Sequence, residues 1–111
     1  MRLYTGFLIL TLAACGGASS NSKDVGGACS VDTDCSHRCV TSSDFGGGMC
    51  TVSCTADNDC PSGSACLNES GGPFCAVTCG VDADCSGFGR GWVCKSESHQ
   101  SGGNVSVCRL P

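Results

Sequence analysis

A seven-residue signature, CxxDxDC, occurs three times at a spacing of 25 residues: CSVDTDC from Cys29, CTADNDC from Cys54 and CGVDADC from Cys79. Each copy opens a unit of four cysteines. These are Cys29, Cys35, Cys39 and Cys50, then Cys54, Cys60, Cys66 and Cys75, then Cys79, Cys85, Cys94 and Cys108. The first gap always holds five residues, whereas the second holds three, five and eight and the third ten, eight and thirteen. The opening of the unit is therefore fixed and its later loops tolerate change, and whatever one unit folds into, the chain contains three of them.

Thirteen cysteines in 111 residues point to a disulfide scaffold made in an oxidising compartment. After Cys15 the only aromatic side chains are Phe45, Phe74, Phe88 and Trp92, so buried apolar area falls short of an ordering cost of roughly 1.5 kcal/mol per residue. Bridges must make up the difference. One that closes a loop of about 15 residues contributes about 3 kcal/mol in the chain-entropy account. The net charge is -4 and the cations Arg2, Lys23, Arg38, Arg90, Lys95 and Arg109 are scattered singly. Nucleic acid is excluded as a partner, because phosphate binding needs clustered cations.

A glycine pair precedes each fourth cysteine: Gly46 and Gly47, Gly71 and Gly72, Gly102 and Gly103. Such pairs supply backbone at positive φ and mark a reversing turn. Short segments rich in β-branched residues flank each pair, so each unit reads as a turn-rich loop followed by a small hairpin. No segment after Cys15 has the apolar period of a sizeable helix. The fold class is a small disulfide-rich chain of three tandem modules, 29–53, 54–78 and 79–111, with short β-hairpins and almost no helix after the signal peptide. Only three residues separate Cys50 from Cys54 and Cys75 from Cys79, which predicts a stacked or beaded rod.

The N-terminus carries an address. Residues 1–14, MRLYTGFLILTLAA, combine one positive charge with an apolar run too short for a permanent membrane span, and read as a signal peptide. LAAC, Leu12 to Cys15, closely resembles the lipobox of bacterial lipoproteins, in which the cysteine is acylated and becomes the mature N-terminus. Setting Cys15 aside leaves twelve cysteines, an even number that fills three sets of four. The alternative is an ordinary secretory signal cleaved nearby. The lipobox implies a diacylglyceryl group on Cys15 with a further N-acyl chain such as palmitate, and two chains make anchoring stable. Residues 15–28, glycine, serine and small polar side chains, are expected to form a flexible tether. In Gram-negative lipoproteins a glycine after the lipidated cysteine, here Gly16, goes with outer-membrane sorting.

The unit resembles the cysteine-rich repeats of lipoproteins from myxobacteria and related deltaproteobacteria and, more distantly, the Dickkopf N-terminal cysteine-rich motif, CxxDxDCxxGxxC. The second module matches it in full through Asp57, Asp59, Gly63 and Cys66. The first is two residues shorter after its second cysteine and has no glycine there, and the third is three residues longer. The resemblance spans 29–108 and implies a disulfide module, with no ligand carried over. Four cysteines permit three pairings, and pairs between modules also remain open. Likeness to many small extracellular loops favours first with third and second with fourth in each unit.

Among candidate sites, the acidic pairs Asp32 and Asp34, Asp57 and Asp59, and Asp82 and Asp84 stand out as weak calcium candidates. Calcium takes six to eight oxygens, and each loop offers two carboxylates. The structural alternative is that each aspartate accepts backbone N–H bonds two residues on, fixing the turn. His37 between Cys35 and Cys39 suggests zinc, but the CxxC spacing of zinc sites is absent and exported thiols oxidise. No cofactor and no metal are expected. His37 and His99 sit in no nucleophile motif, so the chain reads as a non-enzyme. The stretch GFGRGWVCK places Phe88, Arg90 and Trp92 together at the end farthest from the lipid. They read either as a binding patch, Trp and Arg being favoured interface anchors, or as a cover for the terminal module.

The expectation is a lipid-anchored extracytoplasmic protein of the cell envelope, in the outer membrane on its periplasmic or surface side, acting as a binding or structural module for an unknown protein partner. One rival is a small disulfide-braced protease inhibitor presenting the loop from Cys85 to Cys94. Another is a calcium-stabilised adhesion module.

Overall fold

A computed structural model describes residues 24–89 and 91–111. The expected signal peptide, Cys15, the tether as far as residue 23, and Arg90 lie outside the described residues.

Each module is a 3-10 turn followed by a two-stranded antiparallel ribbon. The first pairs β1 (Arg38–Val40) with β2 (Met49–Thr51), the second β3 (Ser64–Leu67) with β4 (Phe74–Val77), and the third β5 (Val93–Ser98) with β6 (Asn104–Arg109). Asp32–Asp34 and Asp57–Asp59 form the turns of the first two modules, and Asp82–Phe88 a longer one in the third. Disulfides join Cys29 to Cys39, Cys35 to Cys50, Cys54 to Cys66, Cys60 to Cys75, Cys79 to Cys94 and Cys85 to Cys108. That is first to third and second to fourth throughout, the pairing favoured by likeness to small extracellular loops.

The register explains how this pairing works. The third and fourth cysteines of each unit face one another across the ribbon, Cys39 with Cys50, Cys66 with Cys75 and Cys94 with Cys108. Their two sulfurs are taken up by the two cysteines of the opening loop, so the loop is strapped onto its ribbon at two points. A lone two-stranded ribbon is marginal in water, and the strap removes much of the freedom it would regain on opening.

The modules do not form a rod. Successive ones are joined by backbone pairing, Ser53 with Phe74 and Thr78 with Val107, and the buried hydroxyl of Thr51 donates to the Cys75 carbonyl at 2.6 Å. The third module also returns to the first. Leu110 N–H donates to the Asp44 carbonyl at 2.8 Å, and the Phe45 ring lies 6.1 Å from that of Trp92. Phe45 also meets Phe74 edge-on at 5.3 Å. One aromatic from each module thus meets at a shared centre, with Val25, Met49, Leu67 and Val107 buried around it. The rod fails because no module can bury its own aromatic, and closing the three together removes all of them from water.

The tether is also shorter than expected. Val25 is buried, Gly26 N–H donates to the Cys50 carbonyl and Cys50 N–H to that of Gly27, and Ala28 bridges to Met49. Residues 25–28 therefore add to the free edge of β2 and belong to the first module. Among the expected turn glycines, Gly72, Gly102 and Gly103 have positive φ. In the first module Gly46 is right-handed at φ -60 and Gly48 takes the role at φ +90. There it passes so close to the Cys29 carbonyl that a Cβ would sit 1.8 Å from its oxygen.

Candidate functional site

The acidic pairs hold the framework together. The second aspartate of each pair turns back: Asp34 Oδ2 accepts from the N–H groups of Ser30 and Val31, Asp59 Oδ2 from Thr55 and Ala56, and Asp84 Oδ2 from Gly80 and Val81. The first reaches forward to the ribbon, where Oδ1 of Asp32, Asp57 and Asp82 accepts the N–H of Cys39, Cys66 and Cys94 at 2.8, 2.8 and 2.9 Å. The bonds thus run to residues three and four back and seven or more ahead, rather than two residues on. A carboxylate that accepts N–H bonds resists protonation. The Thr55 amide and hydroxyl hold Asp59 below its ordinary value, the Gly80 and Val81 amides do so for Asp84, and the Cys66 amide followed by His99 does so for Asp57.

Among the described residues, clusters of three possible ligand atoms within 4.8 Å of one another consist of cysteine sulfurs alone, and these are disulfide-bonded. His37 lies 3.8 Å from Asp24, with both side chains more than half exposed.

Trp92 does not stand out as an anchor. It is 8% exposed, stacked on Phe88 at 4.7 Å and pressed against Gly47, where a Cβ would come within 3.1 Å of its indole nitrogen. Of Phe88, Arg90 and Trp92, Trp92 belongs to the shared core because the third module folds back onto the first, Phe88 is half-buried beneath it, and Arg90 lies outside the described residues.

Two polar constellations were invisible in the sequence. In the first, His99 Nε2–H donates to Asp57 at 2.8 Å and its Nδ1 accepts from the Ser101 hydroxyl at 3.1 Å. The three side chains form a relay from Ser to His to Asp. The serine is only two residues from the histidine on the same hairpin turn, and Asp57 is already engaged with Cys66, so the relay fastens the third ribbon to the second module.

In the second, the Arg109 guanidinium lies between two carboxylates, Nη2 at 2.9 Å from Asp44 and Nη1 at 2.7 Å from Glu97. Asp44 belongs to the first module and Glu97 and Arg109 to the third, with Glu69 of the second close by. The Glu97 side chain is 10% exposed, and its Oε2, though near Arg109, receives no aligned hydrogen bond. Burial, then the neighbouring Asp44 and Glu69 carboxyls, push its pKa up to about 8. Glu97 sits among polar neighbours on a short strand, and nothing local in the sequence marks it as buried.

Between the first two modules lies a groove of about 240 Å³ lined by Arg38 and Val40 of β1, by Asp44, by Phe74 and by the turn from Glu69 to Gly71. The Arg38 guanidinium sits over the Phe74 ring, 5.6 Å from its centre.

No protein-family model matches the chain, and no curated protein or solved structure matches it.

Proposed function

We propose that this chain is a lipid-anchored extracytoplasmic module of the cell envelope that works by binding or by structural support. The observation that carries the proposal is the complete pairing of the twelve described cysteines within their own modules. Of the thirteen cysteines in the chain, this leaves Cys15, the residue that completes LAAC. Six bridges form and persist where thiols are oxidised, and a two-chain anchor on Cys15 would hold the modules at a membrane surface. Gly16 favours the outer membrane. The buried Trp92 and the aspartates engaged with backbone amides support a framework built for rigidity. Neither the inhibitor nor the calcium reading gains support from the arrangement of these residues.

Intact mass of the protein extracted from membranes, taken before and after reduction and alkylation, tests the proposal. Alkylation is expected to add nothing before reduction and to modify twelve thiols after it, with a residual mass matching acyl chains at Cys15. Thiols reactive before reduction, or a mature N-terminus without acyl mass, would overturn it.

A further inference from the structure

The second and third modules show how one of these ribbons accepts an added strand. The outer edge of β3 is covered by the tip of the third ribbon: Asn68 N–H donates to the Ser98 carbonyl at 2.9 Å and Gln100 N–H to that of Cys66 at 2.8 Å. Leu67 pairs antiparallel with His99, whose imidazole reaches Asp57.

The same edge exists in the first module. Cys39, Val40 and Thr41 stand where Cys66, Leu67 and Asn68 stand in the second, and Asp32 holds the Cys39 amide as Asp57 holds that of Cys66. Among the described residues nothing pairs with this edge: the Cys39 carbonyl and the Thr41 N–H take part in no backbone bond to another segment, and Thr41 is exposed. The positions equivalent to Ser98, His99 and Gln100, counted from the third cysteine, are Ser70, Gly71 and Gly72. They do not reach it. The second ribbon has four residue pairs against six in the third, and its tip closes on itself through the Gly72 N–H and the Glu69 carbonyl. Gly71, where the third module has His99, has no side chain to extend toward Asp32. The groove beside β1 is what this short tip leaves open.

We infer that this edge of β1 docks an extended segment of a partner protein, added antiparallel as residues 98–100 are added to β3, with a basic or imidazole side chain at its central position. Main-chain bonds to the Cys39 carbonyl and the Thr41 amide supply the attachment, as in other cases of strand addition. The central side chain faces Asp32 as His99 faces Asp57, and the Asp32 carboxylate, which already accepts the Cys39 amide, favours a cation or an imidazole N–H there. An exposed strand edge of this kind invites pairing, and here its neighbours restrict what can pair. The inference rests on the binding side of the function proposed above and gives it a partner class.

The test is an NMR titration of the oxidised full chain with a capped synthetic peptide, Ser-Glu-Ser-His-Gln-Ser, which reproduces the strand that β3 already accepts. The Thr41 and Cys39 amides are expected to shift saturably, and exchange of the Thr41 amide to slow. Replacing the peptide histidine by glycine is expected to weaken binding about threefold, the scale of an exposed ion pair. Gly71→His places a Cβ where nothing lies within 4 Å and lets the chain offer its own imidazole to Asp32. That intramolecular competitor, at an effective concentration on the order of millimolar, should weaken the peptide about tenfold. The inference is overturned if no saturable shift occurs at Thr41, if Gly71→His binds the peptide as the wild type does, or if the Thr41 amide of the free protein is as protected as that of Asn68. Lipidation is read separately by mass, so failure here leaves the envelope proposal standing, and failure there leaves the titration to be judged by itself.

Discussion

Glu97 should make this protein less stable as the solution becomes more alkaline, and Glu97→Gln should remove that dependence. The carboxyl is raised from an ordinary value of 4.5 to about 8 in the folded chain, so between these values the folded state holds a proton that the unfolded state has released. By linkage the stabilisation is fully present below about pH 4.5 and is lost as pH rises through about 8. At 1.36 kcal/mol per pH unit, the two values set a ceiling of about 5 kcal/mol. Arg109, 2.7 Å from Oε2, attracts the ionised form, so the realised loss falls below that ceiling. The glutamine variant keeps the shape, offers an uncharged donor to Asp44 and Glu69, and has no proton to lose. Urea unfolding with disulfides intact, at about pH 5 and about pH 9, should show the wild type losing more stability than the variant, by up to about 5 kcal/mol. Parallel pH profiles for the two proteins, or a wild type that gains stability toward alkaline pH relative to the variant, would refute the reasoning.

Gly48→Ala should cost on the order of 3 kcal/mol or more, since it forces a side chain into positive φ and a Cβ into the Cys29 carbonyl; a shift in urea midpoint no larger than that of Gly102→Ala would contradict this. Trp92→Ala should cost about 3–5 kcal/mol through loss of the shared core, whereas Val81→Ala, at a side chain 60% exposed, should stay within about 0.5 kcal/mol. Equal thermal shifts for these two would show that the third module does not depend on its contact with the first. Because Asp57, Asp59 and Asp84 sit below their ordinary value of 3.8, their contribution is present above that value and is lost as pH falls through their lowered folded values. Asp59→Asn should therefore be less stable than the wild type at neutral pH and converge with it in strong acid, as followed by circular dichroism.

The cysteine spacing carried the repeated four-cysteine unit, and the glycine pairs with their β-branched flanks the hairpins, because each of these is local. The bridges span 10 to 23 residues, the acidic turn lies within a seven-residue signature, and the glycines mark where the chain must reverse. What the repeat concealed is where its copies differ. Phe45, Phe74 and Trp92 occupy non-equivalent positions in their units, so no comparison of one unit with the next indicates that they meet. Asp44 and Arg109 are 65 residues apart, and Glu97 becomes buried only when three modules close around it. Two extra rungs in the third ribbon decide which strand edge is covered and which, among the described residues, stays open. Short-range covalent constraint can be read from spacing. Burial, and the proton affinity that follows from it, depends on which distant surfaces come together, and that was settled by three modules too small to hide their aromatic side chains alone.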